Sequence, residues 1–370
     1  MNTAGEVACL SSTRSVISLQ GPEVVTFLQG MVTNDVTKLQ RPGGGLMFCS
    51  LLTPKGKFLH DLFLHQQPGA SDSLMMDVHA SSKDRIIAWL GRYKLRRQVE
   101  IKDVSAEYHA WAHFGGGGKA AAPHSRSGEG VWQQDPRLPD LGHRSVQRAE
   151  YTPPHASSHA SSHASSQAAA ASAAAAAAGA ASSDPSSEPA RADPAGAPAP
   201  ALVTEREFRR LRYTLGVGEG ECEIPTATAI PLEHNLDALN GVSYSKGCYV
   251  GQERVSFTHF RGVIRKRLMP VALHPPTDVA PGAGLDIVLE SSEGGIGGPS
   301  GAVVGTLRAA VGGVGLAHMK LATALLAQKG QAGLVLRIGD HSIQIEPLRP
   351  KWWPDSWGYE EAGSPGASDI

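Results

Sequence analysis

Between residues 149 and 201 the chain stops reading as a folded protein. It passes through three successive "HASS" repeats at 155–166 and then through long alanine stretches broken by serine and proline. Such a segment has too little branched or aromatic side chain to offset the entropy of ordering it. His155, His159 and His163 recur every four residues, which on a helix would place them on one face as metal ligands. Repetition alone produces the same spacing, and a disordered insertion is expected. A chain with this interruption must build its fold from the parts on either side of it, so one domain split by an insert is the expectation.

The flanking parts carry ordinary signals. Val7–Leu10 and Val16–Leu19 alternate as strands do. Residues 22–39 place Val24, Val25, Phe27, Leu28, Met31 and Val32 at helical spacing, with Pro22 suited to the first turn. "LMFCSLL" and "FLHDLFLHQ" flank a turn at 53–57 that holds Pro54 and Gly56, and they read as a hairpin. A strand "SLMMDVHA", a helix "KDRIIAWLGRY" opened by Ser81 or Ser82, and a strand "VEIKDVS" follow. Glycine-rich sequence begins near Gly115. Order returns with the basic helix "TEREFRRLRYTLGVGEG", whose glycines read as a helix C-cap and turn, because no β-branched strand precedes them as a dinucleotide loop requires. From Leu268 the segments are short, apolar and glycine-punctuated, with a hairpin turn in "IGDHSI", as in a small β-barrel. The expected organisation is 1–114, an insert at 115–202, the remainder of the split region at 203–267, a β-barrel-like domain at 268–353, and a disordered tail at 354–370.

Charge and cysteines exclude several classes of function. The formal net charge of −1 argues against broad binding to nucleic acid or an anionic membrane. No apolar run approaches the ~20 residues of a membrane span. Cys9, Cys49, Cys222 and Cys248 form no C-x-x-C pair, so neither a zinc knuckle nor a dithiol motif is present, and reduced intracellular thiols are expected. The first residues lack a secretory pattern and make a poor organelle transit peptide.

One cysteine is placed unlike a core residue. "SKGCYVGQER", residues 245–254, sets Cys248 between Gly247 and Gly251, with Lys246 before it and Gln252, Glu253 and Arg254 after. A cysteine acts as a nucleophile or ligand only as the thiolate, which nearby cations such as Lys246 and Arg254 favour. Gly247 and Gly251 suit positive φ or close approach of a ligand, and Tyr249 offers an aromatic face. A single thiolate can donate to an iron–sulfur cluster but cannot hold one alone. The alternative is a tight turn whose cysteine fills a small hole.

"KGCYVGQE" matches the K-G-C-Y-x-G-Q-E signature of the YgfZ-type folate-binding family. "PLEHNLDALNGVSYSKGCYVGQERVSFTHFRGVIRKRL", "LQGMVTNDVTKL", "LLTPKGKFLHDLFL" and "PKWWPDSW" look most like its mitochondrial iron–sulfur cluster assembly members. The resemblance covers most of the chain outside 115–201. It implies an α+β fold, a three-domain ring of the aminomethyltransferase (T-protein) type with a C-terminal β-barrel-like domain. It also implies tetrahydrofolate in a central channel and assistance in maturing [4Fe–4S] proteins in the mitochondrial matrix. A-type iron–sulfur carriers would be partners, with no nucleic acid and no membrane involved. The family's key thiol falls on Cys248, a transient cluster ligand, with Lys246 beside it as the second catalytic candidate. The transferase relative uses an aspartate in a "D-D-L" stretch, where this chain reads "KGKFLHDLFL" and keeps only Asp61. Its glutamate-alanine-glycine folate motif is replaced by "YTLGVGEG". Aminomethyl transfer is therefore in doubt, and a conventional enzyme is not expected.

The expected folate contacts are Gly247, Tyr249, Gly251, Gln252, Glu253, Glu233, Asn235, Asn34, Asp61 and Arg265. Glu233 and Asn235 could hydrogen-bond a pterin or cap a helix start, and Asn34 and Asp35 could equally be turn residues. Lys94, Arg96, Arg97, Arg265, Lys266 and Arg267 could receive an acidic glutamate tail or lie in solvent. Trp352–Trp353 suits a packing anchor or partner surface. Three functions stay open. They are a folate-binding assembly factor using Cys248, a tetrahydrofolate-dependent aminomethyl or one-carbon transferase, and a scaffold in which the loop is structural. An acid facing folate would favour the second, and its loss together with a surface cysteine would favour the first.

Overall fold

The structure, a computed structural model, describes residues 5–41, 45–67, 72–115, 130–153, 200–292, 298–339 and 341–358. Before the insert the elements are β1 (Glu6–Cys9), β2 (Arg14–Gln20), α1 (Val24–Gln29), β3 (Leu46–Leu52), β4 (Phe58–Gln66), β5 (Ser73–His79), α2 (Lys83–Lys94), β6 (Glu100–Asp103), β7 (Tyr108–Phe114), β8 (Gln133–Gln134) and β9 (His143–Arg148). After it come β10 (Ala201–Leu202), α3 (Glu205–Leu215), α4 (Gly220–Glu223) and α5 (Gln252–Arg261). The last set is β11 (Lys266–His274), β12 (Leu285–Ser292), β13 (Val303–Val311), β14 (Val314–Lys320), α6 (Leu321–Gln328), β15 (Ala332–Ile338) and β16 (His341–Pro347).

The strands form two five-stranded sheets and a barrel. One sheet has the order β10-β1-β7-β9-β8 and the other β3-β4-β5-β2-β6. β11-β14-β13-β12-β15-β16 closes on itself through β11 and β16. Closure removes the free edges that a six-stranded antiparallel sheet would otherwise expose. The β2–β6 sheet buries Ile17, Leu19, Leu62, Leu64 and Met76 against Phe27 and Leu28 of α1 and Ile86 and Leu90 of α2. Phe48 and Phe63, on the other face of β3 and β4, pack with Ala8 and Ala112 of the first sheet and with Phe208 of α3. This is the period-2 alternation of a strand buried on both faces.

Most sequence-based elements stand where expected, including the β3–β4 hairpin, α2, the strands Glu6–Cys9 and Arg14–Gln20, and the β15–β16 hairpin. The glycines after α3 do cap it, for Gly216 adopts φ +74° and Val217 N donates to the Arg212 carbonyl. The helix expected over 22–39 is corrected. It ends at Gln29, because β-branched Val32 and Thr33 leave the helix to bond β3, with Thr33 N donating to Ser50 O and Val32 bridging Leu51. The chain resumes as a 3₁₀ turn, Val36–Gln40, where the Asp35 carboxylate accepts from Thr37 N and Gln29 Oε1 accepts from Val36 N.

The boundaries at 115–202 are corrected as well. Residues 130–153 contribute β8 and β9 to the first sheet, with β9 paired along β7 from Tyr108–Arg148 to His113–His143. They carry apolar and ionisable side chains that the alanine run lacks, and these find partners across the insert. Of the expected insert, residues 154–199 lie outside the described residues, His155, His159 and His163 among them. Its two anchored ends sit in one sheet, on β9 and β10, with β7 and β1 between them. At ~4.8 Å per strand they are roughly 15 Å apart. The disordered tail expected over 354–370 is corrected for its first residues, since Trp357 is buried with Trp353 against the barrel and the Arg267 guanidinium lies 3.1 Å from its ring centroid, while 359–370 lie outside the described residues.

A buried ionic cluster joins the halves on either side of the insert. Arg14 donates to Asp77 (2.6 Å) and Asp61 (2.9 Å), and Arg144 donates to the other Asp77 oxygen (2.7 Å). Arg137 binds Asp135 (2.7 Å) and Glu219 (2.6 Å), while Arg212 and Tyr213 of α3 bind Glu223 (2.7 and 2.8 Å). Burial alone would raise the Glu219 pKa, but the Arg212, Arg137, Arg144 and Arg14 charges hold it well below the ordinary carboxylate range.

Candidate functional site

The 245–254 loop sits where three backbone segments meet. Gly251 has φ +83° and starts α5. A Cβ there would lie 2.5 Å from Thr53 O and 3.1 Å from the Cα of Gly56, which itself has φ +69°. The β3–β4 turn and the start of α5 thus pack backbone against backbone, and only glycine meets both the steric and the φ requirement. Val250 N donates to Gly30 O, tying the same loop to the end of α1. Gly247 is different. Its φ is not positive and a Cβ there would meet nothing within 4 Å, so the pairing of two conformationally required glycines is corrected to one.

Lys246 is a tether. It is buried, and its Nζ donates to Val32 O (2.8 Å) and Asn34 O (2.7 Å) while lying 5.0 Å from the Tyr249 ring centroid. Among the described residues no hydrogen bond or ion pair joins it to Cys248, so its expected role as the thiolate's cation is corrected. Burial pushes the Lys246 ammonium down to about 8, with Cys49 and Asp35 pulling the other way. In the unfolded chain this lysine keeps its proton up to the ordinary 10.5. The cost of burying its charge is present below about 8 and is relieved as pH rises toward 10.5, because there the unfolded state binds the extra proton. Lys246→Met removes this dependence. Denaturant titrations of both proteins across that window should show wild type gaining stability relative to the variant as pH rises.

Tyr249 is buried among Leu52, Leu232 and Val255, so it is core and not a ligand platform. Gln252 is half-buried, Glu253 and Arg254 are exposed, and the Arg254 stem lies over Gly56. Cys248 is the one exposed cysteine. Cys49 is buried on β3, where burial pushes its thiol up. Cys9 and Cys222 are partly covered, and burial raises Cys222 also.

The other expected contacts divide. Asn34 Nδ2 donates to Phe48 O (2.9 Å) and Asn240 O (2.7 Å) and lines a cavity of about 250 Å³ with Lys38, Leu39, Met47, Phe48, Pro136 and Val242 among its walls. No acid lines it among the described residues. Asp61 is elsewhere, accepting from Arg14 and from Gly220 N (2.7 Å) in the ionic cluster. Asn235 is buried, its amide donating to Leu268 O and accepting from Arg267. Glu233 pairs with His318 at 3.0 Å. Arg265 and Lys266 are exposed, as are Arg96 and Arg97, but Arg267 is buried on Asp237. Asp61, Asn235, Glu233, Arg265 and Cys248 are therefore not cavity walls, and only Asn34 of the expected contacts is. Sequence reasoning missed Lys38, Met47, Phe48, Pro136 and Asn240, which come from four separated segments. Lys246 links the two features, since it holds the Asn34 backbone whose side chain forms the cavity edge. No group of three or more metal-ligating side chains occurs among the described residues, and none of their helices is long and apolar enough to cross a membrane.

Comparison with known proteins fits this geometry. Residues 265–355 match the family described as the CAF17 C-terminal beta-barrel domain, which is the closed barrel. The "Iron-sulfur cluster assembly factor IBA57, mitochondrial" of Mus musculus is 28% identical over 358 residues, covering 92% of this chain and 84% of the relative. The Homo sapiens protein of the same name is also 28% identical, covering 92% and 83%. The chain is a homologue of these assembly factors. A Mycosarcoma maydis homologue is 28% identical, and this chain spans only 58% of its length. The relatives are mitochondrial by name, which bears out the mitochondrial location expected for this one. The crystal structure of glycine cleavage system aminomethyltransferase T from Bartonella henselae superposes with a TM-score of 0.59, covering 95% of this chain and 87% of that one at 12% identity. The assembly-factor homologue thus has the aminomethyltransferase fold with its C-terminal barrel, as expected.

Proposed function

We propose that this protein assists iron–sulfur cluster assembly in mitochondria, with Cys248 as its working thiol. The observation that carries the reading is the placement of Cys248. It alone of four cysteines is exposed, on a loop fixed by Lys246 and Gly251. As a thiolate it can form one Sγ–iron bond, releasing its proton to water, while a partner supplies the remaining ligands. The cluster is cargo, and A-type carriers with [4Fe–4S] acceptors are the partners and products assigned here.

Tetrahydrofolate is assigned to the Asn34 cavity. About 250 Å³ with a Phe48 wall fits a pterin ring, and the acidic tail would pass out beside Lys38. With Asp61 committed to Arg14 and Gly220, no cavity acid is available to a transferase, which favours a bound or protective folate over aminomethyl transfer. Two experiments test the reading. Expression of this chain in cells lacking the assembly factor should restore aconitase-type activity, and failure to do so would sink the assembly role. Calorimetric titration of tetrahydrofolate should show heat that weakens with salt, and Asn34→Ala should reduce it. Absence of heat at millimolar ligand removes folate alone.

A further inference from the structure

The helix that follows Cys248 leaves two large aromatics in water. Phe257 is 62% exposed and Phe260 57%. They stand three residues apart on α5, hence side by side on the face opposite buried Val255. Phe260 is held in place, lying edge-on to Tyr244 (5.8 Å) and His259 (4.8 Å), which stack on each other at 3.6 Å. A pinned aromatic loses little entropy on binding, which is the property of an interface anchor.

The charges around this pair are mostly positive. Arg254 and Arg261 lie one helical turn before and after Phe257, and exposed Arg265 and Lys266 come four and five residues after the end of the helix. Exposed Glu253 is the acid on the same face. Cys248, also exposed, is four residues before the first residue of α5 along the chain.

Resting on the assembly reading above, we propose that this α5 face is the dock for the cluster-carrying protein. The partner would present an apolar pocket rimmed by carboxylates, which receives Phe257 and Phe260 and brings the cluster to Cys248. The two phenylalanines supply affinity, while the cations steer encounter. A protein fits better than a lipid surface because Glu253 shares the face and because the exposed thiol on the loop that leads into α5 needs a ligand-bearing partner.

The test uses the purified full chain and a purified A-type carrier loaded with its cluster. Wild type should bind the carrier, with an association rate that falls as salt rises. The Phe257→Ala/Phe260→Ala double variant should raise Kd by about tenfold or more. Iodoacetamide labelling of Cys248 should be unchanged in that variant, showing that the loop is intact. Leu202→Ala, which trims an exposed apolar side chain on β10, should bind as wild type does. Equal affinity of double variant and wild type would overturn the dock and leave the assembly role standing. So would loss of carrier binding in Leu202→Ala to the same degree, or binding of phosphatidylglycerol vesicles that the double variant abolishes while carrier binding persists. No carrier binding by wild type would overturn the dock too, whereas the assembly role fails only if complementation fails.

Discussion

Glu219→Ala should destabilise the protein by about 3–5 kcal/mol, the range for removing one partner of a buried ion pair. Glu219 stands at the middle of the ionic cluster, accepting from Arg137 at 2.6 Å and Arg144 at 3.3 Å, with the Arg212 Nε 3.7 Å away. All of these are buried. Without the carboxylate, at least two guanidinium groups keep their charge in a site that water does not reach. Aromatic faces do not replace it, although the Arg144 Cζ already lies 3.9 Å from the Phe63 ring centroid and Arg137 4.7 Å. Glu219→Gln keeps the shape and should cost less. The pH dependence follows from the depressed Glu219 pKa. Its contribution is complete above the ordinary 4.5 and is lost as pH falls toward the lower folded value, so wild type and Glu219→Ala should converge in acid. Urea unfolding followed by tryptophan fluorescence reads both effects. A midpoint within about 0.5 kcal/mol of wild type at neutral pH, as for an ordinary surface site, would show that the cluster does not hold the halves together.

The same cluster shows what was legible in the sequence. The β3–β4 hairpin, α2, α3 with its Gly216 cap and the barrel strands all rest on local pattern and turn chemistry, and each forms where that pattern lies. Arg137 and Arg144 were hidden because they follow a glycine-rich stretch and precede the alanine run. Only their pairing with Asp77 and Glu219, on distant segments, makes them part of the core. The helix over 22–39 failed for a related reason. Its apolar spacing is real, yet the bonds from Thr33 to Ser50 and from Lys246 to Val32 and Asn34 come from residues far along the chain.

The cysteine loop was partly legible. Its exposure follows from glycines and charges in the sequence, and Gly251 needs its positive φ. Lys246 was misread because adjacency in sequence suggests adjacency in space, whereas its side chain turns inward to carbonyls 214 and 212 residues away. Asp61 and Asn235 look like polar ligand contacts by residue type, but both are consumed by buried partners. Of the cavity only Asn34 could be read, since it meets Phe48, Pro136 and Asn240 only through the tertiary fold.

Cys248→Ser is the second change of large expected effect, and here the fold should survive. The side chain is exposed, and its removal leaves Lys246, Tyr249, Val250 and Gly251 with all their contacts. Surface substitutions of this kind usually stay within ±0.5 kcal/mol of wild type. The hydroxyl cannot ionise near neutral pH and is a poor ligand for iron, so a cluster brought to the loop has no Sγ to bind. The direct measurement is aconitase-type activity in cells lacking the assembly factor and carrying wild type or Cys248→Ser, with the melting temperature of each purified protein. The account predicts activity restored by wild type, no restoration by Cys248→Ser, and melting temperatures that coincide. Full restoration by a folded Cys248→Ser protein, or a variant that unfolds, would contradict it and return the cysteine to a structural role.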